Sequence, residues 1–477
     1  METTVGDERA PDPDEADPAV VLPARFSELF GREYAVLTVG TIVLLGCNAF
    51  EIVGAATAMP AVLDDVGGVG LFGAAVAAPL VASVFAAPFG GRLADRFGTL
   101  RPLVLALVLF SVGLVATSFA TSMAQVAGGR FLVGLGAGAT LTLQLVIIAR
   151  YYPLRLQPLV LGVVSAVFII PGMIGPTISA TLVETVGWHW IFGGMVPILV
   201  LCAVLLVPEI VRRPPLELDA IPLEGEPVDD APMWGPALLS IGLGIVVLAG
   251  SAADARWLLL VPVGLAVLVP GAKVTLPSGT WVAERGKPAV IACALTACAA
   301  YLTTENFLPL LLRQVRGSTI LEAGLPLTVA AFFWAFGSWS QARLAPARRP
   351  VAAASGALVA SAGLVLAASL VFDVVPFWLA YPATALGSFG CGLVFTICQV
   401  IAVESAPSGR EGEATALVQL ANLLGTALGT TAAAIVIARL DDQLSSAVGM
   451  TMLIAAAFAV LSSFAARRMP STRPAPS

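Results

Sequence analysis

Long apolar stretches recur along this chain, each divided from the next by a short gap rich in Gly, Pro or charge. A helix needs about 20 mostly apolar residues to cross a bilayer, and it must bond its own backbone polar groups internally. Between breakers, fourteen stretches meet or approach that length: 34–59, 70–90, 102–119, 124–150, 158–183 and 188–208, then 233–250 and 256–271, then 288–312, 322–342, 351–371, 376–403, 413–438 and 445–466. Only 12% of the residues are charged, against about a quarter in a soluble domain. The expected fold is an all-α integral membrane protein: two six-helix bundles with two extra helices between them, fourteen spans in total. The stretch 256–271 is short and holds Pro262 and Pro270. Twelve spans, with both inserted helices non-spanning, is the alternative.

Charge tests this reading. Lys and Arg concentrate in cytoplasmic loops. With the N-terminus inside, 20 of the 25 Lys and Arg fall inside. Only Arg256, Arg313, Arg316 and Arg439 fall outside, and Arg130 lies within the membrane. Removing a single helix would invert the second half and spoil the bias; removing both inserted helices would not. Both termini are therefore expected in the cytoplasm. The net charge of −6 comes largely from two acidic segments, Glu2 to Asp17 and Glu217 to Asp230. They are poor in apolar residues and read as disordered. No basic region followed by an apolar one stands where a signal peptide would, so the first membrane helix is expected to direct insertion.

The expected organisation is an acidic tail at 1–33, an N-terminal six-helix bundle at 34–208, an acidic cytoplasmic linker at 209–232 and two inserted helices at 233–271. A cytoplasmic loop at 272–287, a C-terminal six-helix bundle at 288–466 and a cytoplasmic tail at 467–477 follow. The bundles carry a weak internal repeat. "GGRLADRFGTLRP" follows the second stretch of the first six, and "GSWSQARLAPARRP" stands at the same place in the last six. Both begin with Gly, hold an Arg in mid-loop and end in basic residues and Pro, but the second lacks the Asp. Two bundles about a central cavity is a common architecture of secondary transporters. The six cysteines, Cys47, Cys202, Cys293, Cys298, Cys391 and Cys398, all fall in apolar stretches without a CxxC pair. They read as small buried side chains, not as a disulfide framework or metal site.

At the loop Gly91-Arg92-Leu93-Ala94-Asp95-Arg96-Phe97-Gly98 the chain resembles the major facilitator superfamily. That family's signature is G-x-L-A-D-R-x-G-R-K. The first eight positions match; Thr99 and Leu100 replace the last two, and Arg101 offers a basic group one residue later. The resemblance implies a cytoplasmic gating loop of Gly91, Asp95, Arg96, Gly98 and Arg101 that latches the two bundles when the cavity faces outward. Asp95 can receive helix N-terminal N–H groups or an Arg from a neighbouring helix. The Arg residues also suit a plain positive-inside anchor.

Further segments resemble fourteen-helix drug–proton antiporters. "GVVSAVFIIPGMIGPTISA" keeps Gly162, Gly175 and Pro176 of the antiporter pattern, with Pro171 and Gly172 where one Gly is expected, and Ser179 and Ala180 for the final glycines. Gly162, Gly172, Gly175 and Pro176 are thus expected to pack helices closely. "FEIVGAATAMP" sets Glu51 nine residues before Pro60, as the family sets its acidic residue. "GWHWIFGGMVP" is similar to the family's G-W-R-W-I-F-x-x-N-x-P, with His189 for Arg and Met195 for Asn. "GGRFLVGLGAGA" supplies Arg130, Gly134, Gly136 and Ala137 of R-x-x-x-G-x-G-A.

Charged groups at mid-bilayer are costly and face the interior or a wet cavity. Glu51, Arg130 and Glu305 are the candidates for proton or substrate handling. A carboxyl that alternates between water and a dry site can take up and release a proton, and Arg130 can hold or displace that proton. The bland alternative is structural pairing. Glu404, at a helix end, reads as a solvated cap. His189 stands between Trp188 and Trp190 at an outer helix entrance and reads as part of an interfacial belt. Phe332, Phe333, Trp334, Phe336 and Trp339 suit lipid or bundle packing better than a cavity. Gln144, Gln399, Gln419 and Asn422 could read substrate, or only join helices.

The expected function is proton-coupled export of an organic solute by alternating access at the cell membrane, multidrug efflux included. Proton-coupled uptake, or export of a lipid or metabolite, stays open. The expected partners are the bilayer, protons and a small organic substrate, with no nucleic acid and a monomer as the working unit. No cofactor, metal or catalytic residue is expected. One histidine, no metal spacing and no nucleophile motif argue against a membrane enzyme. No G-x-x-x-x-G-K-[ST] loop exists for a nucleotide-driven pump.

Overall fold

The computed structural model describes residues 26–153, 155–167, 169–213, 234–252, 255–406, 411–440 and 443–470. Among these it is all helical, with no strand. Thirteen helices are long and apolar enough to cross a membrane. The expected span 158–183 is described as two helices on either side of residue 168 and is not among the thirteen. The acidic segments 1–25 and 214–233 lie outside the described residues.

The first set is α1 (Ala35–Val66), α2 (Val69–Phe97), α3 (Leu100–Ser118), α4 (Met123–Tyr151), α5 (Gln157–Val167), α6 (Ile169–Val186) and α7 (Val196–Arg212), the last preceded by one helical turn, His189–Gly193. An inserted pair follows, α8 (Trp234–Ser251) and α9 (Val261–Thr275). The second set is α10 (Lys287–Leu310), α11 (Ile320–Ser340), α12 (Arg349–Ser369), α13 (Ala380–Glu404), α14 (Glu411–Arg439) and α15 (Leu444–Ala466). The turns after α2 and α11 share one face of the molecule, rich in Arg, called here the basic face. Several helices run past their expected ends, α1 to Val66 and α2 to Phe97 among them. α7 continues four residues past Pro208. Within the tail 1–33, Phe26–Leu29 is helical because Leu29 is fully buried and Glu28 pairs with Arg155 at 2.5 Å.

Small residues set the packing. Lipid is as apolar as Leu, so helices in a membrane associate chiefly through close van der Waals contact and interhelical hydrogen bonds. On α4, a Cβ at Gly134 or Gly138 would strike the α2 backbone at Pro79 or Ser83, and one at Gly136 the α3 backbone at Phe110. On α13, Gly392 lies against Trp334 of α11 and Gly390 against Gly356 of α12. The fourth helix of each set is thus clasped by the second and third in the same way. Across the sets, α2 meets α14 where Gly73 abuts Ala434, and α6 meets α11 where a Cβ added at Gly172 would lie 3.0 Å from the Ala331 side chain. Second helix against fifth, in both directions, is a pseudo-two-fold arrangement.

The inserted pair closes on itself through Gly242 against Leu268 and Gly264 against Val246, each 2.7 Å from a built Cβ. It then leans on both sets. Ser240 Oγ donates to the carbonyl of Val81 on α2 at 2.6 Å, and Arg439 of α14 donates to the carbonyl of Ala249 at 3.3 Å.

Candidate functional site

Glu51 lies midway along α1, whose length of 32 residues spans about 48 Å at 1.5 Å per residue. Its carboxylate accepts a hydrogen bond from the Arg130 guanidinium of α4, and each residue is only 5% exposed. The Arg130 guanidinium also sits 5.9 Å from the centre of the Phe192 ring. Its Nε has no partner among the described residues. One turn before Glu51, Asn48 donates to the carbonyl of Leu44 at 2.9 Å and meets Thr140 Oγ1 of α4 at 3.3 Å. One turn beyond Thr140, the amide nitrogen of Gln144 is buried without a partner. The inner face between α1 and α4 is therefore a polar string: a closed ion pair, then Asn48 and Thr140, then an unsatisfied amide. Asn48 and Thr140 were not singled out by sequence, although an Asn three residues from a membrane Glu signals one helical face.

Glu305 lies on α10, the first helix of the second set, five residues before its end. It is half-buried and lines a cavity with Tyr301, Thr304, Leu308, Leu327 and Thr384. Among the described residues it has no hydrogen bond or ion pair. The two expected carboxylates thus differ: Glu51 is matched by a cation, and Glu305 stands alone in an apolar and hydroxyl-lined recess.

On the basic face, Asp95 takes an Arg from a neighbouring helix. Arg150, at the end of α4, pairs with it at 2.6 Å and also donates to the carbonyl of Ala94 at 3.0 Å. Arg96 lies over Phe97 instead, and Arg101 is exposed. Gly98 has a φ of 77° with open space around its Cβ position, so the backbone angle, not crowding, calls for glycine there. The second set repeats the bridge with its charges exchanged. Arg349, at the start of α12, donates to both carboxylate oxygens of Glu404, at the end of α13, at 2.6 Å. Glu404 is thus a paired group, not a solvated cap. No Asp in the second loop advertised this pair.

The antiporter-like segment packs as small residues allow. Gly175 and Pro176 are buried, a Cβ added at Gly175 would lie 3.4 Å from Val53 of α1, and Gly172 faces α11. The surroundings of Gly162 lie outside the described residues. Of the polar candidates, Gln144 is buried, Gln399 and Asn422 are half-buried and Gln419 is exposed. Asn422 accepts from Thr426 through its backbone carbonyl at 2.8 Å. The aromatic cluster divides: Phe332, Phe336 and Trp339 are exposed, while Trp334 turns inward, 5.4 Å from Tyr301. His189 and Trp190 are exposed, as an interfacial belt requires. Trp188 is not: it is 4% exposed, stacks on His189 at 3.9 Å and donates to Asp65 at 3.0 Å.

Known proteins agree with this architecture. Residues 41–430 match the model of the Major Facilitator Superfamily. Multidrug resistance protein 3 of Bacillus subtilis is 32% identical over 143 residues, 30% of this chain and 28% of that protein. The 4-hydroxybenzoate transporter PcaK of Pseudomonas aeruginosa is 37% identical over 144 residues, 29% of this chain and 32% of that protein. The chain thus matches under a third of the length of either relative. Among solved structures, an auto-inhibited peptide transporter of the POT family superposes with a TM-score of 0.67 over 90% of this chain and 95% of its own, at 17% identity. A match that covers most of the chain, on a helical scaffold with this two-fold packing, makes the protein a member of the major facilitator superfamily.

Proposed function

We propose that this protein is a secondary active carrier that exports an organic solute, multidrug substrates included, against proton entry. It works by alternating access between an N-terminal bundle (34–208) and a C-terminal bundle (288–466), as a monomer in the cell membrane. The basic face is cytoplasmic, both termini lie there, and the chain crosses fourteen times. The observation that carries this reading is the contrast between the two mid-membrane carboxylates. Glu51 is neutralised by Arg130 and keeps the first bundle's interior closed. Glu305 has no partner among the described residues and faces a recess. It is therefore the group that must choose between a proton and a cationic cargo as water enters or leaves. Asp95 with Arg150 and Glu404 with Arg349 brace the cytoplasmic ends of the two bundles during the swing. The similarity to Multidrug resistance protein 3 supports the exporter reading.

Uptake by symport is the second reading. Ser179 and Ala180 in place of the antiporter glycines, and the similarity to a 4-hydroxybenzoate transporter, favour it. Purified protein in liposomes with an imposed proton gradient decides between them, with ethidium as cargo. Antiport moves the dye into the acidic lumen, and Glu305→Gln abolishes the gradient-driven part while leaving the fold intact. Dye that travels with the protons instead of against them would replace export by uptake.

A further inference from the structure

Away from the polar string and the charged helix ends, the second bundle gathers sulfur. Four of the six cysteines stand in two rungs between α10 and α13: Cys298 beside Cys391 and, nearer the basic face, Cys293 beside Cys398. Helix α10 leaves the basic face and α13 returns to it, so the earlier cysteine of one pairs with the later cysteine of the other. The rung nearer the basic face has a third sulfur. Cys398 donates its S–H to the thioether of Met469 at 3.9 Å. Met469 lies just past α15, where the chain is fixed against the start of α10. The Gly286 N–H donates to the carbonyl of Arg468 at 3.3 Å, and the Arg468 guanidinium donates to that of Val282 at 2.7 Å. Met469 is therefore turned inward and only 6% exposed, and Cys293 and Cys398 are fully buried. Cys293 also meets Ser462 Oγ of α15 at 3.3 Å. A cavity of about 80 Å³ borders all three elements. Val290 and Ile401 in its wall stand one turn from Cys293 and Cys398, and Pro470 follows Met469. Lys287 and Ser405 line it at the basic-face ends of α10 and α13, and Lys287 is exposed to solvent. At about 30 Å³ per water, an ion can enter there with part of its hydration shell.

We infer that Cys293, Cys398 and Met469 form a three-sulfur binding site for a soft monovalent cation, Cu(I) or Ag(I). Thiolate and thioether ligands select such ions. A structural Zn(II) site takes four ligands, and among the described residues no group of three or more His, Cys, Asp and Glu could hold a metal. The spacing suits three-fold coordination. Sulfurs about 2.3 Å from one ion in a trigonal plane stand about 4 Å apart, and Cys398 and Met469 stand 3.9 Å apart. On binding, two S–H bonds break and three sulfur–metal bonds form, with no change of oxidation state. Both thiol protons pass to water in the cavity. Two thiolates and one monovalent ion leave a single negative charge, which the Lys287 ammonium on the cavity wall balances. In the other rung the Cys391 thiol is turned to the carbonyl of Ala297 at 3.4 Å, which makes that rung an internal control. Spacing in the chain gives no hint of the site, because its three sulfurs come from three elements. The inference rests neither on proton coupling nor on the direction of transport.

The test reads metal, not transport. Full-length protein in nanodiscs is titrated with Cu(I) under anaerobic conditions against the chelator bicinchoninate. The parent should hold one equivalent, and X-ray absorption should find three sulfur neighbours at about 2.3 Å. Ag(I) should displace the copper. Cys293→Ser and Cys398→Ser should each weaken binding by more than about a hundredfold, beyond what loss of an outer partner costs. Met469→Leu keeps the side chain's bulk and should cost about ten- to a hundredfold. The double change Cys298→Ser with Cys391→Ser should leave the affinity as it was. Cu(I) should also raise the melting temperature of the parent, as a ligand of the native state does, and leave that of Cys398→Ser unmoved. A parent that yields all its copper to the chelator overturns the site. So does parental affinity in Cys398→Ser combined with Met469→Leu, or a loss of binding confined to the Cys298 and Cys391 changes. Copper held by a protein that moves no solute against protons would sink the antiport reading and leave the site standing.

Discussion

At the scale of residues, the partner of each charge decides what it contributes. Removing one member of a buried ion pair leaves the other as an unmatched charge, at a cost of about 3–5 kcal/mol. Glu51→Gln is therefore expected to lower the melting temperature sharply in detergent, and a second change, Arg130→Met, to recover much of the loss. Glu305→Gln removes no bond from the described structure, so its melting temperature should stay near that of the parent while coupled transport fails. Equal melting in all three variants would dissolve the distinction between a structural and a working carboxylate. The same logic applies to Arg residues away from the basic face. Arg313 bridges to Asp64, Arg316 donates to the carbonyls of Leu370, Phe372 and Val375, and Arg439 donates to Ala249. Each holds separate segments together, and an anchoring charge has no such task. Glu51 and Arg130 were both legible in the sequence as costly groups in apolar stretches. Their mutual pairing was not, because they stand 79 positions apart in the chain.

At the scale of elements, small residues decide how near two helices come, and the effect of a methyl group depends on what it meets. Gly128 and Gly136 both lie inside α4. A Cβ at Gly128 meets nothing within 4 Å, whereas one at Gly136 falls on the α3 backbone at Phe110. Gly128→Ala should stabilise by up to about 1 kcal/mol through helix propensity. Gly136→Ala should destabilise by about 1–3 kcal/mol through overpacking. Unfolding in mixed micelles reads both, and matching signs would show that space around α4 is not what selects glycine. Which face of a helix turns inward could not be read from apolar periodicity. On α3, Leu103, Phe110 and Leu114 are fully buried, yet Val108 and Val112 on the other side are 52% and 50% exposed. Lipid accepts an apolar face as readily as a neighbouring helix does, so the contrast that marks an amphipathic helix in water is absent.

At the scale of the whole molecule, the proposed fourteen spans turn on the inserted pair, α8 and α9. Twelve and fourteen spans place every other loop on the same side, so only the turn between α8 and α9 separates them. Trp257, 54% exposed there, gives the reporter. Trp257→Cys should react with an impermeant maleimide from outside intact cells, as Val374→Cys does, whereas Arg101→Cys should react only after permeabilisation. Reaction of Trp257→Cys only after permeabilisation would return the count to twelve. The sequence by itself determined the helical membrane class, the approximate spans, the family-like loop around Asp95 and the few charges that a bilayer tolerates only for a reason. Those follow from local solvation, which each stretch of chain meets alone. Only the tertiary structure decided that Glu51 is matched and Glu305 is not, that Glu404 answers Arg349, and that Asp64 reaches across to Arg313 of the second set. These are distances between helices far apart in the chain. They are set by which glycines let backbones touch, and that information is shared between partners and belongs to neither stretch alone.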